Sequence, residues 1–452
     1  MERDSGKNPQ RETSVGSGGL AGALQLLSDG LARGVRTVVL CPGGRNAPMI
    51  QALGLVATSW NLEVLSFFEE RSAAFFAIGR AKRDQRPVIV SVTSGTAAAE
   101  LLPAVIEAHA TDIPLILVTA DRPREHRGSG SPQSMWQTGL FTQYAPTLVD
   151  WQEGENFPTW STDWNRQSPV HINLCHQEPL WSKQPPTISP APAPLSPTHK
   201  LPDIKSAFPS FKKPLIILGA LPAEDQTAVK EFCQWYGAPV LTEASSGLRE
   251  VNHPLWMKAG ERVVRPYWQR GEFDGVIRFG AVPSWRLWRD LEKWQGPVLT
   301  FGHSTWSGLP GREIQRGALS AWLKAWQQNG PRVENRSSLT EEDRALVAKT
   351  DRLLEKFPQS EPALVHQLSL TATKNDLMYL GNSRPVRDWN DFATMKTTFE
   401  IQENRGLNGI DGQVSSFLGH CRAKSENWAL LGDMTTLYDL AGLWALRHLP
   451  TN

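Results

Sequence analysis

The sequence predicts an α/β protein of three doubly wound parallel-sheet domains, the third incomplete. Three observations lead there. Short runs rich in Val, Ile, Leu and Phe alternate with helical patterns, as expected of parallel sheets covered on both faces. A chain of 452 residues exceeds what one hydrophobic core fills. A Pro/Ala/Ser tract, KQPPTISPAPAPLSPTHKLP, and a charged helical stretch at 337–356 interrupt the alternation. The expected layout is a first domain over 1–182, a linker over 183–212, a central domain over 213–336, a helical connector over 337–363 and a third domain over 364–452.

In the first domain, a helix over 18–31 precedes strands over 37–40, 63–68, 87–92 and 114–119. Helices over 47–58, 71–83 and 97–110 separate them, and 168–174 reads as another strand. TSGTA, after the third strand, offers backbone amides to a ligand or caps the next helix, and both readings stand level. The long loop 121–141 follows the fourth strand, where function concentrates. The central domain offers strands at 214–219, 239–242, 275–279 and 297–301 and a helix over 223–235. The turn after Ile217 reads LGALPAED, so no GxGxxG supports a dinucleotide site. The third domain offers strands at 376–380 and 428–431, a turn GNSRPVRDW, a glycine-rich loop at 404–412, and helices over 413–421 and 438–449.

A formal charge of +1 supplies no field for nucleic acid or anionic lipid, so anionic ligands need locally placed arginines. Cys41, Cys175, Cys233 and Cys421 lie far apart without metal spacing and read as free thiols of a reducing compartment. The polar N-terminus lacks a signal-peptide core, and no run approaches the roughly 18 apolar residues of a membrane span. A cytoplasmic protein is the expectation. The eighteen tryptophans read as packing.

Arg45, Arg122, Arg387 and Arg405 each stand in a Gly- or Pro-containing turn beyond a strand or extended segment. Arginine grips carboxylate and phosphate through two parallel hydrogen bonds, so four such turns point to a substrate with several carboxylates. Gln133 is a neutral polar candidate in the long loop. Glu70, in FFEER, is either a carboxylate raised in pKa by apolar surroundings or a partner of Arg71 or Arg80 at a solvated helix start. Asp433, after Gly432 in LLGD, is either a ligand for a hard cation or a helix cap. His171 and His176 read as packing at the domain edge, and His109 as a helix surface residue.

These residues fall in CPGGRNAP, FFEER, VTSGTAAAELLPAVIEA, LILVTADRP, GSPQSMWQTGLF, HINLCHQEPL, GNSRPVR, NRGLNGIDG and GDMTTLYDL. In content and order these segments resemble the 2-succinyl-5-enolpyruvyl-6-hydroxy-3-cyclohexene-1-carboxylate (SEPHCHC) synthase family of thiamine-diphosphate enzymes, with a looser match in the central domain. The resemblance implies pyrimidine-binding, central and diphosphate-binding domains, and a homodimer or dimer of dimers with the site between subunits. It implies a transferase that decarboxylates 2-oxoglutarate on thiamine diphosphate and adds the resulting carbanion to isochorismate, in menaquinone or phylloquinone biosynthesis.

Glu70 then matches the glutamate that hydrogen-bonds the aminopyrimidine. Arg45, Arg122, Gln133, Arg286, Ser383, Arg387 and Arg405 match substrate-binding positions, Arg45 and Gln133 also serving catalysis. Ile410, Gly432 and Asp433 match cofactor contacts, with Asp433 on Mg2+ or Mn2+. Gly44 stands where many members carry Ser, Pro132 where Asn is common, and Trp136 where a basic residue occurs. The family's second metal ligand, an Asn, falls beyond Asn452, so the expectation is a C-terminally truncated third domain. Two other readings stay open: another thiamine-diphosphate 2-keto acid decarboxylase or ligase, and a non-catalytic truncated homologue.

Overall fold

The computed structural model describes residues 18–449 apart from 146–147, 159, 161–163, 165, 184–186, 194–207, 318, 334–338, 374 and 395–399. The chain separates into two compact units, one of residues 1–109 and 113–196, the other of 110–112 and 197–452. Much of the expected Pro-rich linker lies outside the described residues.

The first unit holds one parallel sheet of β1 (Thr37–Leu40), β2 (Glu63–Ser66), β3 (Val88–Val92), β4 (Leu115–Asp121), β5 (Leu148–Gln152) and β6 (Val170–Cys175). The order is β2-β1-β3-β4-β6-β5. Strands β1, β3, β4 and β6 are buried along their whole length, which explains their unbroken apolar runs. The sequence reading missed β5, whose LVDWQ alternates charge and bulk. Because β5 takes the edge, β6 is internal, and His171 is a core residue instead of a domain-edge one. The expected helix over 97–110 is two helices, Thr96–Ala99 and Leu102–Ala110; Pro103, in the first turn of the second, cannot continue the first.

The second unit holds two parallel sheets. One comprises β7 (Pro214–Leu218), β8 (Val240–Thr242), β9 (Gly275–Phe279), β10 (Val298–Gly302) and β11 (Gln315–Arg316), ordered β11-β10-β9-β7-β8. Trp256, Trp322 and Trp326 fill its core with Phe232 and Phe279. The other sheet comprises β12 (Leu377–Leu380), β13 (Glu400–Gln402) and β14 (Asn427–Leu430), ordered β13-β12-β14.

Two expectations are corrected here. Arg387 is not in a turn but in the helix Arg384–Phe392, which starts early because Pro385 suits the first helical turn. The expected last helix is a short α-helix, Asp433–Tyr438, followed by a 3-10 stretch, Leu440–His448. Asp439 breaks the path: its buried carboxylate accepts from Ser415 N–H at 2.7 Å and from the Ser415 hydroxyl at 3.0 Å. No helix of the described residues is long and apolar enough to cross a membrane, and all four cysteines are unbridged and buried.

Candidate active site

In parallel sheets the loops leaving the carboxyl ends of the strands share one edge, and ligands settle where the strand order reverses. In the first sheet that point lies between β1 and β3. Four candidate residues stand on this edge: Arg45 after β1, Glu70 after β2, and Arg122 and Gln133 in the loop after β4.

The two acids of FFEER divide the work. Glu69 is the N-cap of the helix Glu70–Asp84, accepting from Arg71 N–H at 3.1 Å and Ser72 N–H at 2.8 Å. The ion pairs weighed for Glu70 go elsewhere, Arg71 to Glu69 at 3.9 Å and Arg80 to Glu63 at 3.4 Å. Glu70 is left at the first helical position, half-buried. Burial raises its pKa above the usual carboxylate range, the charges of Glu69 and Glu100 add to this, and a backbone hydrogen bond opposes it. The apolar wall is narrower than the sequence implied. Phe67 is buried and packs on Phe76 with ring centroids 5.0 Å apart, whereas Phe68 is 60% exposed.

Arg45 pairs with Glu178 at 3.2 Å. Arg122 donates from Nε to the Pro132 carbonyl at 2.9 Å, tying it to the segment that carries Gln133. Gln133 has a φ of 57°, a left-handed backbone rarely held by a non-glycine residue without cause.

Sequence reasoning missed the residue that assembles this edge. Gln137 is fully buried; its Oε1 accepts from Gly95 N–H at 2.8 Å, and its Nε2 donates to Ala120 O at 3.1 Å and Asn173 Oδ1 at 2.8 Å. One side chain thus joins the TSGTA turn, β4, β6 and the long loop. A polar Gln among turn residues carries no periodic signal that would have singled it out.

In the second unit, the three-stranded sheet places Ser383 after β12, Arg405 after β13, and Gly432 and Asp433 after β14, all at carboxyl ends. Asn382 knits them: its Nδ2 donates to Asn404 O and Gly409 O at 2.8 Å each, and its Oδ1 accepts from Arg405 Nη1 at 2.9 Å. Ser383, like Gln133, has positive φ, here 74°. Ser383, Arg387 and Ile410 are exposed, and Arg286 is exposed at the start of the helix Arg286–Asp290 after β9.

Asp433 is exposed, with Oδ1 accepting from Met434 N–H at 2.7 Å. Among the described residues no three His, Cys, Asp or Glu side chains group to hold a metal. A single outward carboxylate suits a hard cation that takes its remaining ligands from phosphate and water. Taken by itself, the half-buried Glu70 suits a ligand group that takes up and releases a proton.

Comparisons with known proteins identify the family. Residues 23–141 match the family described as thiamine pyrophosphate enzyme, N-terminal TPP binding domain. A 2-succinyl-5-enolpyruvyl-6-hydroxy-3-cyclohexene-1-carboxylate synthase of Bdellovibrio bacteriovorus is 37% identical over 445 residues, covering 94% of this chain and 82% of that protein. The chain belongs to the SEPHCHC synthase family. The synthase of Akkermansia muciniphila is 39% identical, covering 94% of this chain and 80% of that protein. That of Chloroflexus aurantiacus is 31% identical, covering 92% and 77%. Arg45, Glu70, Arg122 and Gln133, on the carboxyl edge of the first sheet, all lie inside the matched 23–141 segment.

Proposed function

We propose that this protein decarboxylates 2-oxoglutarate and joins the remaining four-carbon unit to isochorismate, forming 2-succinyl-5-enolpyruvyl-6-hydroxy-3-cyclohexene-1-carboxylate and carbon dioxide on the route to menaquinone or phylloquinone. Bound thiamine diphosphate, with Mg2+ or Mn2+, supplies the carbanion chemistry that a protein side chain lacks. Glu70 holds and moves the proton at the aminopyrimidine ring. A carboxyl group half-buried at the start of a helix, with its pKa raised by burial, suits that exchange, and the match to synthases over 94% of the chain carries the reading. Asp433 holds the metal beside Gly432, where the absent side chain admits phosphate, and Ile410 supplies an apolar contact to the cofactor.

Arg45, Arg122 and Gln133 on the first unit, and Arg286, Ser383, Arg387 and Arg405 on the second, bind the substrate carboxylates and hydroxyls. The left-handed backbone at Gln133 and Ser383 supports this, since such strain persists where a side chain must be aimed. The exposed apolar side chains of Met434, Leu437, Leu440 and Leu443 support association with a second copy as a homodimer.

The test is product formation from isochorismate and 2-oxoglutarate with thiamine diphosphate and Mg2+. Turnover by the wild type and a loss on the order of 10²- to 10⁴-fold in Glu70→Gln are expected. Unchanged turnover in that variant would remove the proton role from Glu70.

A further inference from the structure

Glu243 is a carboxylate that the proposed reaction does not use. It follows β8, is 2% exposed, and accepts hydrogen bonds at Oε1 from both the backbone N–H and the hydroxyl of Ser284. Ser284 lies in the loop after β9, two residues before Arg286. The same junction grips the helix that carries Arg387. Asn390, about one turn further on, accepts from Ala244 N–H through Oδ1 at 2.8 Å and donates from Nδ2 to Ser284 Oγ at 3.4 Å. Its carbonyl accepts from Arg249 Nε at 3.2 Å and Nη2 at 3.0 Å.

Among the described residues, the charged groups that face Glu243 are Glu403 and Arg405 just after β13 and the fully buried Arg278 of β9. Arg405 Nε is buried and makes no hydrogen bond among the described residues. Glu243 thus holds the loop that leads to Arg286, shares the Ala244–Asn390 junction with the helix that carries Arg387, and lies in the field of Arg405.

We propose that Glu243 is a positioning residue: acting through Arg405 and the Ser284–Arg286 loop, its charge sets how strongly these arginines hold a substrate carboxylate. The proposal rests on the reading that those arginines bind substrate. As a carboxylate, Glu243 offsets part of the Arg405 charge. As a neutral acid it still accepts from Ser284 but leaves the guanidinium to the ligand. Burial pushes its pKa up, the Glu403 charge adds to that, and Arg405 and the Ser284 hydrogen bonds oppose, leaving it at about 7. Affinity for carboxylate ligands therefore falls as pH rises through neutrality.

The experiment measures KM for 2-oxoglutarate, and by calorimetry the Kd for glutarate, a dicarboxylate without the reactive ketone. Both are followed from below to above neutral pH in the wild type and in Glu243→Gln, which keeps an acceptor for Ser284 without the charge. The wild type is expected to weaken about fivefold across that range and Glu243→Gln to stay flat, with kcat of the two within about twofold. A purely structural role would lower the melting temperature of Glu243→Gln and leave the pH slopes parallel. Parallel slopes, or no glutarate binding at either pH, overturn the proposal. If the wild type turns over no substrate while the glutarate slopes differ, the reaction assigned above fails and the role of Glu243 stands.

Discussion

The first sheet and the five-stranded sheet are built alike at their centres, yet their crevices differ. Each has a first strand flanked by its second on one side and its third on the other, β1 between β2 and β3, β7 between β8 and β9. In the first sheet the loops at this gap meet through a side chain: a Cβ at Gly43 would lie 2.5 Å from Thr93 Cβ. A Cβ at Gly44 would meet nothing within 4 Å, and one at Gly95 would lie 3.4 Å from Gln133 Cα. In the five-stranded sheet the loops close on each other, backbone to backbone. A Cβ at Gly219 would lie 2.1 Å from Ala281 O, one at Gly280 would lie 2.4 Å from Ala220 O, and Ala281 N–H donates to Ala220 O at 3.0 Å. The same topology thus leaves open space beside Gly44 and a side-chain contact in one sheet, and a seam closed by backbone in the other. Topology nominates a site; the loop residues decide whether it is open.

Substitutions can break that contrast. The largest expected effect is the loss of turnover in Glu70→Gln at the first crevice, with denaturant midpoint unchanged; a comparable loss from a seam glycine in a fully folded variant would erase the distinction. Next, Gly280→Val should cost about 3 kcal/mol or more in denaturant unfolding, because its Cβ meets backbone and its φ of 88° disfavours a branched side chain.

A third effect is pH dependence of opposite sign in the two units. His171 in β6 is kept neutral by burial, its pKa lowered from 6.5 to about 3. The unfolded chain takes up a proton first on acidification, so the stabilisation it reflects is present above 6.5 and is lost as pH falls toward 3. Glu243 is raised from 4.5 to about 7, so the unfolded chain loses its proton first and stability falls as pH rises through that window. Unfolding curves at several pH values should show His171→Gln flattening the acid limb and Glu243→Gln flattening the neutral limb; a variant that leaves its limb unchanged would remove that group from the account. The smallest effect belongs to Gly44→Ser, expected to stay within about 0.5 kcal/mol of the wild type because space is already there. A larger cost would mean the first crevice is as tightly closed as the seam.

The sequence by itself determined the strand and helix alternation, the parallel class and the family, because buried parallel strands read as continuous apolar runs and the site loops are contiguous motifs. It also brought Glu70, Arg45, Arg122 and Asp433 to attention, since each sits within a few residues of a strand end. Only the tertiary structure separated Glu69 the cap from Glu70, because adjacent identical residues differ solely in where the helix begins. It alone found Gln137 and Glu243, whose partners lie tens to more than a hundred residues away in the chain. It alone closed the seam between β7 and β9, where small residues in the sequence are equally compatible with a ligand's phosphate or a neighbouring carbonyl. Local periodicity encodes which face is buried, while the pairing of polar groups across distant loops is fixed only when the sheets assemble.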